Sequence, residues 1–266
     1  MPTPFPLVAR AAGNAPPNRL PRRGHVGVTP LSQSCHTWLK TNPRVKSEPY
    51  FRFMPGYDLK VIRLEPGTHP GSPDGCLMEW VSLLSGLPKT DRPRCINELV
   101  TAVAIHLNDT LDDVSRQRLK AFIPRLLQAR RDPADARIGI RLAIWAAASI
   151  AHSTPERLMV LQQRAVHAAL GRLEGSVSDG ACRAAAMDAA EAGAKARSSV
   201  LYVAADAAHA ACADDPYGGT VNAVSGALHW VLRHGDPLAW FDDFLAAHAA
   251  ALANEEHIEE LVCSPA

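Results

Sequence analysis

The sequence predicts an all-α fold, a multi-helix bundle with alanine-rich helices, plus a short N-terminal extended arm or hairpin. Three observations predict this class. Hydrophobic residues make up 47% of the chain, enough to bury a core, whereas aromatic residues make up only 6%. Alanine, the residue with the highest helix propensity, is abundant in the second half. Apolar residues also recur at helical spacing through most of the chain after residue 74.

Before residue 65 the chain shows little helical pattern. Residues 1–48 are rich in Pro, Arg and Gly and are predicted to be a disordered leader. In the segment 50–64 apolar residues alternate imperfectly after a Pro-Gly turn, which predicts a hairpin or an extended arm laid across helices. Residues 49–254 are then predicted to form a single helical domain, and 255–266 an acidic tail.

Helix caps and breakers divide residues 74–109, which we define as the signature segment, into a helix, a loop and a second helix. The first helix is predicted over about 74–85, where Asp74 is a suitable N-cap and Gly86 a suitable end. The second is predicted over about 96–107, with the following Asn-Asp pair as its end.

The remaining helices are predicted from the same signals. Residues 133–252 hold the alanine-rich helices, and the run from 178 to 213 is predicted as one long helix, bent near Gly193. The predicted N-caps are Asp112 or Asp113, then Thr154 and Asp236.

Charge and cysteine content narrow the function classes. Lys and Arg (28) nearly balance Asp and Glu (27), so there is no strong nucleic-acid signal, because binding to phosphates depends on an excess of basic side chains. The six cysteines occur singly, which favours reduced thiols and a cytoplasmic location over a disulfide framework. No apolar stretch reaches the about 18 residues of a membrane span, so no membrane is expected. The oligomeric state stays open.

The signature segment holds the candidate catalytic residues Cys76, Glu79 and Asp91. Cys76 and Glu79 are three apart and so share a helix face. A thiol near a helix N-terminus can have a lowered pKa, and a neighbouring carboxylate could act as its acid/base partner. The alternative is architectural: the thiol is a small buried group, and the carboxylates bond backbone N–H groups to fix the loop.

Ligand and metal candidates lie in the same part of the chain. Asn108 and Asp109 are candidate ligand-binding residues, or the end of the second helix. Two thiols and two imidazoles form a donor set that zinc accepts. They belong to His69, Cys76, Cys95 and His106. Their spacing fits no zinc ribbon or finger, so no cofactor is predicted and a structural zinc is the minor alternative.

The signature segment resembles a group of uncharacterised actinobacterial and actinophage helical proteins. Their pattern reads C-x-M-E-x-V, then G-x-P-x-[ST]-D-x-P-x-C, then N-D. The positions that match are Cys76, Met78, Glu79, Val81, Gly86, Pro88, Asp91, Pro93, Cys95, Asn108 and Asp109. Ser85 and Leu87 depart from the group's usual Ala and Glu. The alanine-rich half is similar to immunity proteins assigned to toxin–antitoxin-like loci.

These resemblances imply a helical fold and an interaction role. We therefore expect a helical protein–protein interaction module with a protein partner, specifically an immunity or phage–host conflict factor. The alternative is an enzyme or small-ligand binder that uses the Cys/Glu/Asp cluster of the signature segment.

Overall fold

The structure, a computed structural model, describes most of the predicted helical region. The described residues are 59–69, 72–132 and 135–253. The predicted leader, residues 50–58 of the predicted arm, and the acidic tail lie outside the described residues. Helices and no strands occur among the described residues, which confirms the all-α class.

The first half of the described chain contains helices of 4 to 13 residues. They are α1 (Leu77–Leu84), α2 (Glu98–Thr110), α3 (Asp113–Arg118), a 3-10 turn (Leu119–Phe122) and α4 (Ile123–Leu126). Pro124 lies in the first turn of α4, directly after this 3-10 turn, where its missing N–H interrupts no helical hydrogen bond.

The second half contains the alanine-rich helices. They are α5 (Asp135–Ser149), a 3-10 turn (Ala151–Ser153), α6 (Glu156–Leu173), α7 (Asp179–Ala196), α8 (Ser199–Cys212), α9 (Tyr217–His234) and α10 (Pro237–Leu252). Helix α8 packs against α5, α6, α7 and α9 and is therefore the central helix. Small side chains allow the close approach: a Cβ on Gly219 of α9 would lie 2.9 Å from the backbone oxygen of Asp206 on α8.

The prediction of one long helix over 178–213 is wrong. The chain reverses at Arg197, whose φ of 51° is left-handed, and α7 and α8 pack against each other. The Ser198 N–H donates to the Gly193 carbonyl at 3.0 Å, as at many helix C-termini. A left-handed residue at this position is usually glycine, so an arginine gives no sequence signal for the turn.

Several predicted helix ends also differ. Helix α1 begins three residues later than predicted, with Cys76 rather than Asp74 as its N-cap. Helix α2 continues through Asn108 to Thr110 and so is not ended by the Asn-Asp pair. Thr154 does not cap α6: its hydroxyl instead bonds the buried side chain of Gln162. The predicted caps Asp112 and Asp236 are confirmed.

The described part of the arm, residues 59–64, forms no hairpin: residues 59–61 make a turn, and 62–64 lie against α3 and the 3-10 turn that follows it. The Leu64 backbone exchanges two hydrogen bonds with the side-chain amide of Gln117, at 3.1 and 2.8 Å. Lys120 donates to the carbonyl of Ile62 at 2.9 Å. Ile62 and Leu64 are buried, so the arm contributes to the core.

Specific contacts join the first half to the alanine-rich helices. The rings of Phe122 and Phe241 meet edge to face with centroids 5.1 Å apart. Arg125 of α4 forms an ion pair with Asp242 of α10. Among the helices the structure describes, none has the combined length and apolar character of a membrane span.

Candidate functional site

The start of α1 brings together two of the three catalytic candidates. The Cys76 N–H donates to Glu79 Oε2 at 2.8 Å, and the Glu79 N–H donates to Cys76 Sγ at 3.5 Å. This reciprocal pair is a capping box in which cysteine takes the place usually held by serine or threonine. Cys76 is 2% exposed and Glu79 3%, so both side chains are shielded from solvent where they form this cap.

The Glu79 carboxylate also holds the loop before α1. Its Oε1 accepts the His69 N–H at 2.9 Å, and its Oε2 lies 3.4 Å from His69 Nδ1. Burial alone would raise the pKa of Glu79, but the N–H groups of His69 and Cys76 and the charge of Lys89 outweigh it and lower that pKa. Glu79 is therefore an ionised acceptor at neutral pH and a poor proton donor.

The Cys76 thiol is not activated as a nucleophile. Burial raises its pKa to about 11, against a partial lowering by the Glu79 N–H and a further rise from the Glu79 charge. The helix N-terminus does not lower the pKa of Cys76 below its usual value, because the thiol is buried next to a carboxylate. At neutral pH the group is a protonated thiol, which is a weak nucleophile.

Asn108 connects three parts of the chain. It is fully buried in the last turn of α2. Its Oδ1 accepts the Leu77 N–H at 3.1 Å, and its Nδ2 donates to the Glu65 carbonyl at 2.8 Å. Asp109 accepts the Gly67 N–H at 2.8 Å. Both ligand-binding candidates are thus engaged with backbone groups of the loop and α1.

Two basic residues complete this network, and sequence reasoning missed both. Lys89 Nζ donates to the carbonyls of His69 and Ser72 at 2.8 Å each and to that of Asp74. Arg116 donates from Nε to the Asn108 carbonyl at 2.6 Å and caps the end of α2. Carbonyl-binding lysines and arginines have no spacing signature, so only the fold could reveal them.

The remaining candidates are dispersed. Asp91 is half-buried in the loop after α1, where its charge contributes weakly to the raised pKa of Cys76. Cys95 is partly buried against the core, and His106 faces α9. Within the described ranges, no group of three or more His, Cys, Asp or Glu side chains is arranged to hold a metal ion.

A small cavity of about 150 Å³ lies between α2 and α9. Its lining residues are Leu99, Ala102, Val103, His106, Val221, Ser225, Leu228 and His229. The rings of His106 and His229 meet edge to face, with centroids 5.0 Å apart. Burial and the charge of His229 lower the pKa of His106, against an opposing effect of Asp109. The two histidines are far apart in sequence, so their pairing could not be predicted.

Comparison of the chain with known protein families, curated proteins and solved structures finds no match.

Proposed function

We propose that this protein is a helical protein–protein interaction module whose signature segment serves the fold. The observation that supports this proposal most directly is that the candidate side chains bond to other parts of the same chain. The Cys76 and Glu79 side chains cap α1, and Asn108 ties α2 to α1 and the loop. A catalytic pair needs groups that can reach a substrate and exchange protons with it, whereas these groups are buried and bonded to backbone.

The cavity between α2 and α9 also favours an interaction role over metabolite chemistry. It measures about 150 Å³, whereas pockets for drug-sized ligands usually measure about 300–1,000 Å³. Its lining is mostly apolar, with His106, His229 and Ser225 as the polar side chains. This cavity is thus smaller than the usual site for a metabolite.

The surface of α6 and α7 is the proposed contact region. Val160 of α6 is 68% exposed and Met187 of α7 is 72% exposed. The ion pair Arg164–Asp188, 2.9 Å long, links the two helices. Val160 lies one turn before the arginine, and Met187 directly precedes the aspartate. We infer that the outer sides of α6 and α7 together form one contact face. Such a face fits the apolar side of a helix presented by another protein.

The resemblance of the alanine-rich half to immunity proteins supports a toxin as the partner. An immunity protein neutralises its toxin by forming a stable complex, which needs an exposed binding surface and no chemistry of its own. Co-expression with the toxin of a locus that encodes both proteins tests this finer proposal. Restored growth together with a co-purifying complex is expected; a toxin that stays active and unbound contradicts it.

The test of the interaction surface is a comparison of two charge substitutions in the full chain. Met187→Glu places a charge at the proposed contact, and Val114→Glu is the matched control, because Val114 is 76% exposed on α3. The partner retained by affinity-purified wild-type protein should be reduced at least about tenfold by Met187→Glu, the loss typical of a contact hot spot. It should be unchanged by Val114→Glu. Equal retention by both variants would remove α6–α7 from the proposal.

A further inference from the structure

Helices α2 and α9 meet at a pair of histidines and little else that is polar. His106 and His229 stand edge to face at 5.0 Å, beside a cavity whose other walls are chiefly aliphatic. Among the described residues, His106 Nε2 has no nitrogen or oxygen partner and is shielded from solvent. The contact therefore suits two neutral rings, one of which presents its edge to the face of the other.

We propose that the His106–His229 contact is a pH-sensitive closure, which holds α2 against α9 at neutral pH and opens the adjoining cavity in mildly acid solution. Histidine is the side chain whose charge changes in this range. Protonation of both rings places two positive charges about 5 Å apart. Because His229 is exposed, the dielectric constant of water applies, and by Coulomb's law this repulsion disfavours the closed contact about 4-fold.

The charged groups near the two rings do not cancel the repulsion between them. Asp109, one turn along α2, favours the protonated form of His106, but its carboxylate accepts the Gly67 N–H. From α9, the described lining residues besides His229 are Val221, Ser225 and Leu228, none of which carries charge. None of the described residues that line the cavity offers a carboxylate to an imidazolium in this contact.

The direction of the pH effect follows from proton binding. The pKa of His106 is lowered in the folded protein from the ordinary 6.5, because of burial first and the His229 charge second. The open or unfolded chain then binds more protons than the closed one at mildly acid pH. The stability of the closed contact is complete above the ordinary histidine pKa and is lost as the pH falls through it toward the lowered value.

Hydrogen–deuterium exchange of the full chain at pH 7.5 and 5.5 tests the proposal, with rates corrected for the intrinsic pH dependence of exchange. In the wild type, peptides from α2 and α9 should exchange about 4-fold faster at pH 5.5, the Coulomb factor for two protonated rings. The double variant His106→Asn, His229→Asn should lose this difference. The control His209→Asn, at an exposed histidine on α8, should keep it.

Two results would overturn the proposal: equal corrected exchange of wild-type α2 and α9 at both pH values, or a full pH response in the double variant. If the double variant fails to fold, the single variant His229→Asn takes its place, and a wild-type-sized response in it counts against the proposal. None of these measurements needs a partner protein. A result that overturns the pH-sensitive closure therefore leaves the proposed interaction role untouched.

Discussion

Substitution of Asn108 tests the architectural role of the signature segment at its most connected residue. Asn108→Ala removes one acceptor and one donor, and leaves the Leu77 N–H and the Glu65 carbonyl without the partners they have at 3.1 and 2.8 Å. Each buried group left without a partner costs about 1–3 kcal/mol. Because part of this loss is relieved by water at the partly buried loop, we expect the free energy of unfolding to fall by about 2–4 kcal/mol.

Urea unfolding followed by circular dichroism measures this loss, with Asn222→Ala as the matched control. Asn222 is an exposed asparagine within α9, so its substitution should change the free energy of unfolding by no more than about 0.5 kcal/mol. The two variants change the same atoms in different surroundings. An Asn108→Ala effect as small as that of the control would refute the reasoning that these hydrogen bonds hold the loop to the helices.

Three further predictions concern single groups. Cys76→Ser should keep the cap of α1 and most of the stability, whereas Cys76→Ala should lose about 1 kcal/mol in urea unfolding; equal losses would exclude a capping thiol. The lowered pKa of Glu79 stabilises the fold above the ordinary pKa of 4.5, and this stability is lost as the pH falls through the lowered pKa. Glu79→Gln should therefore flatten the acid side of a plot of Tm against pH, and an unchanged acid side would contradict this. Gly219→Ala should lower Tm because its Cβ would lie 2.9 Å from the Asp206 oxygen, whereas Gly218→Ala, with open space around it, should not; equal effects would argue against close packing of α8 and α9.

Local signals allowed much of the fold to be predicted. Gly86 ends the first helix with a positive φ of 73°, and Asp112 and Asp236 bond the N–H groups of the helices they precede. These features depend on one residue and its near neighbours, so the sequence displays them. The helical class follows in the same way from periodic apolar residues, which need only one face to be buried.

The candidate site depended on contacts that no local pattern displays. Asn108 lies inside α2 and does not cap its end. Its side chain instead accepts a hydrogen bond from the N–H of Leu77, 31 residues away. Cysteine is an unusual capping residue, so Asp74 was the better candidate on propensity alone. The raised pKa of Cys76 comes from burial next to Glu79, and the turn at Arg197 depends on helix packing. Sequence could identify the residues of the signature segment, while their roles required the fold.

The most direct test of the central claim separates the signature segment from partner binding. The double variant Cys76→Ala, Glu79→Gln disrupts the cap of α1 and leaves the α6–α7 surface intact. At a temperature where it is folded, it should retain as much partner as wild-type protein in quantitative co-purification, with a lowered Tm. An unchanged Tm together with lost partner binding would contradict the claim, because the cluster would then act in function and not in the fold.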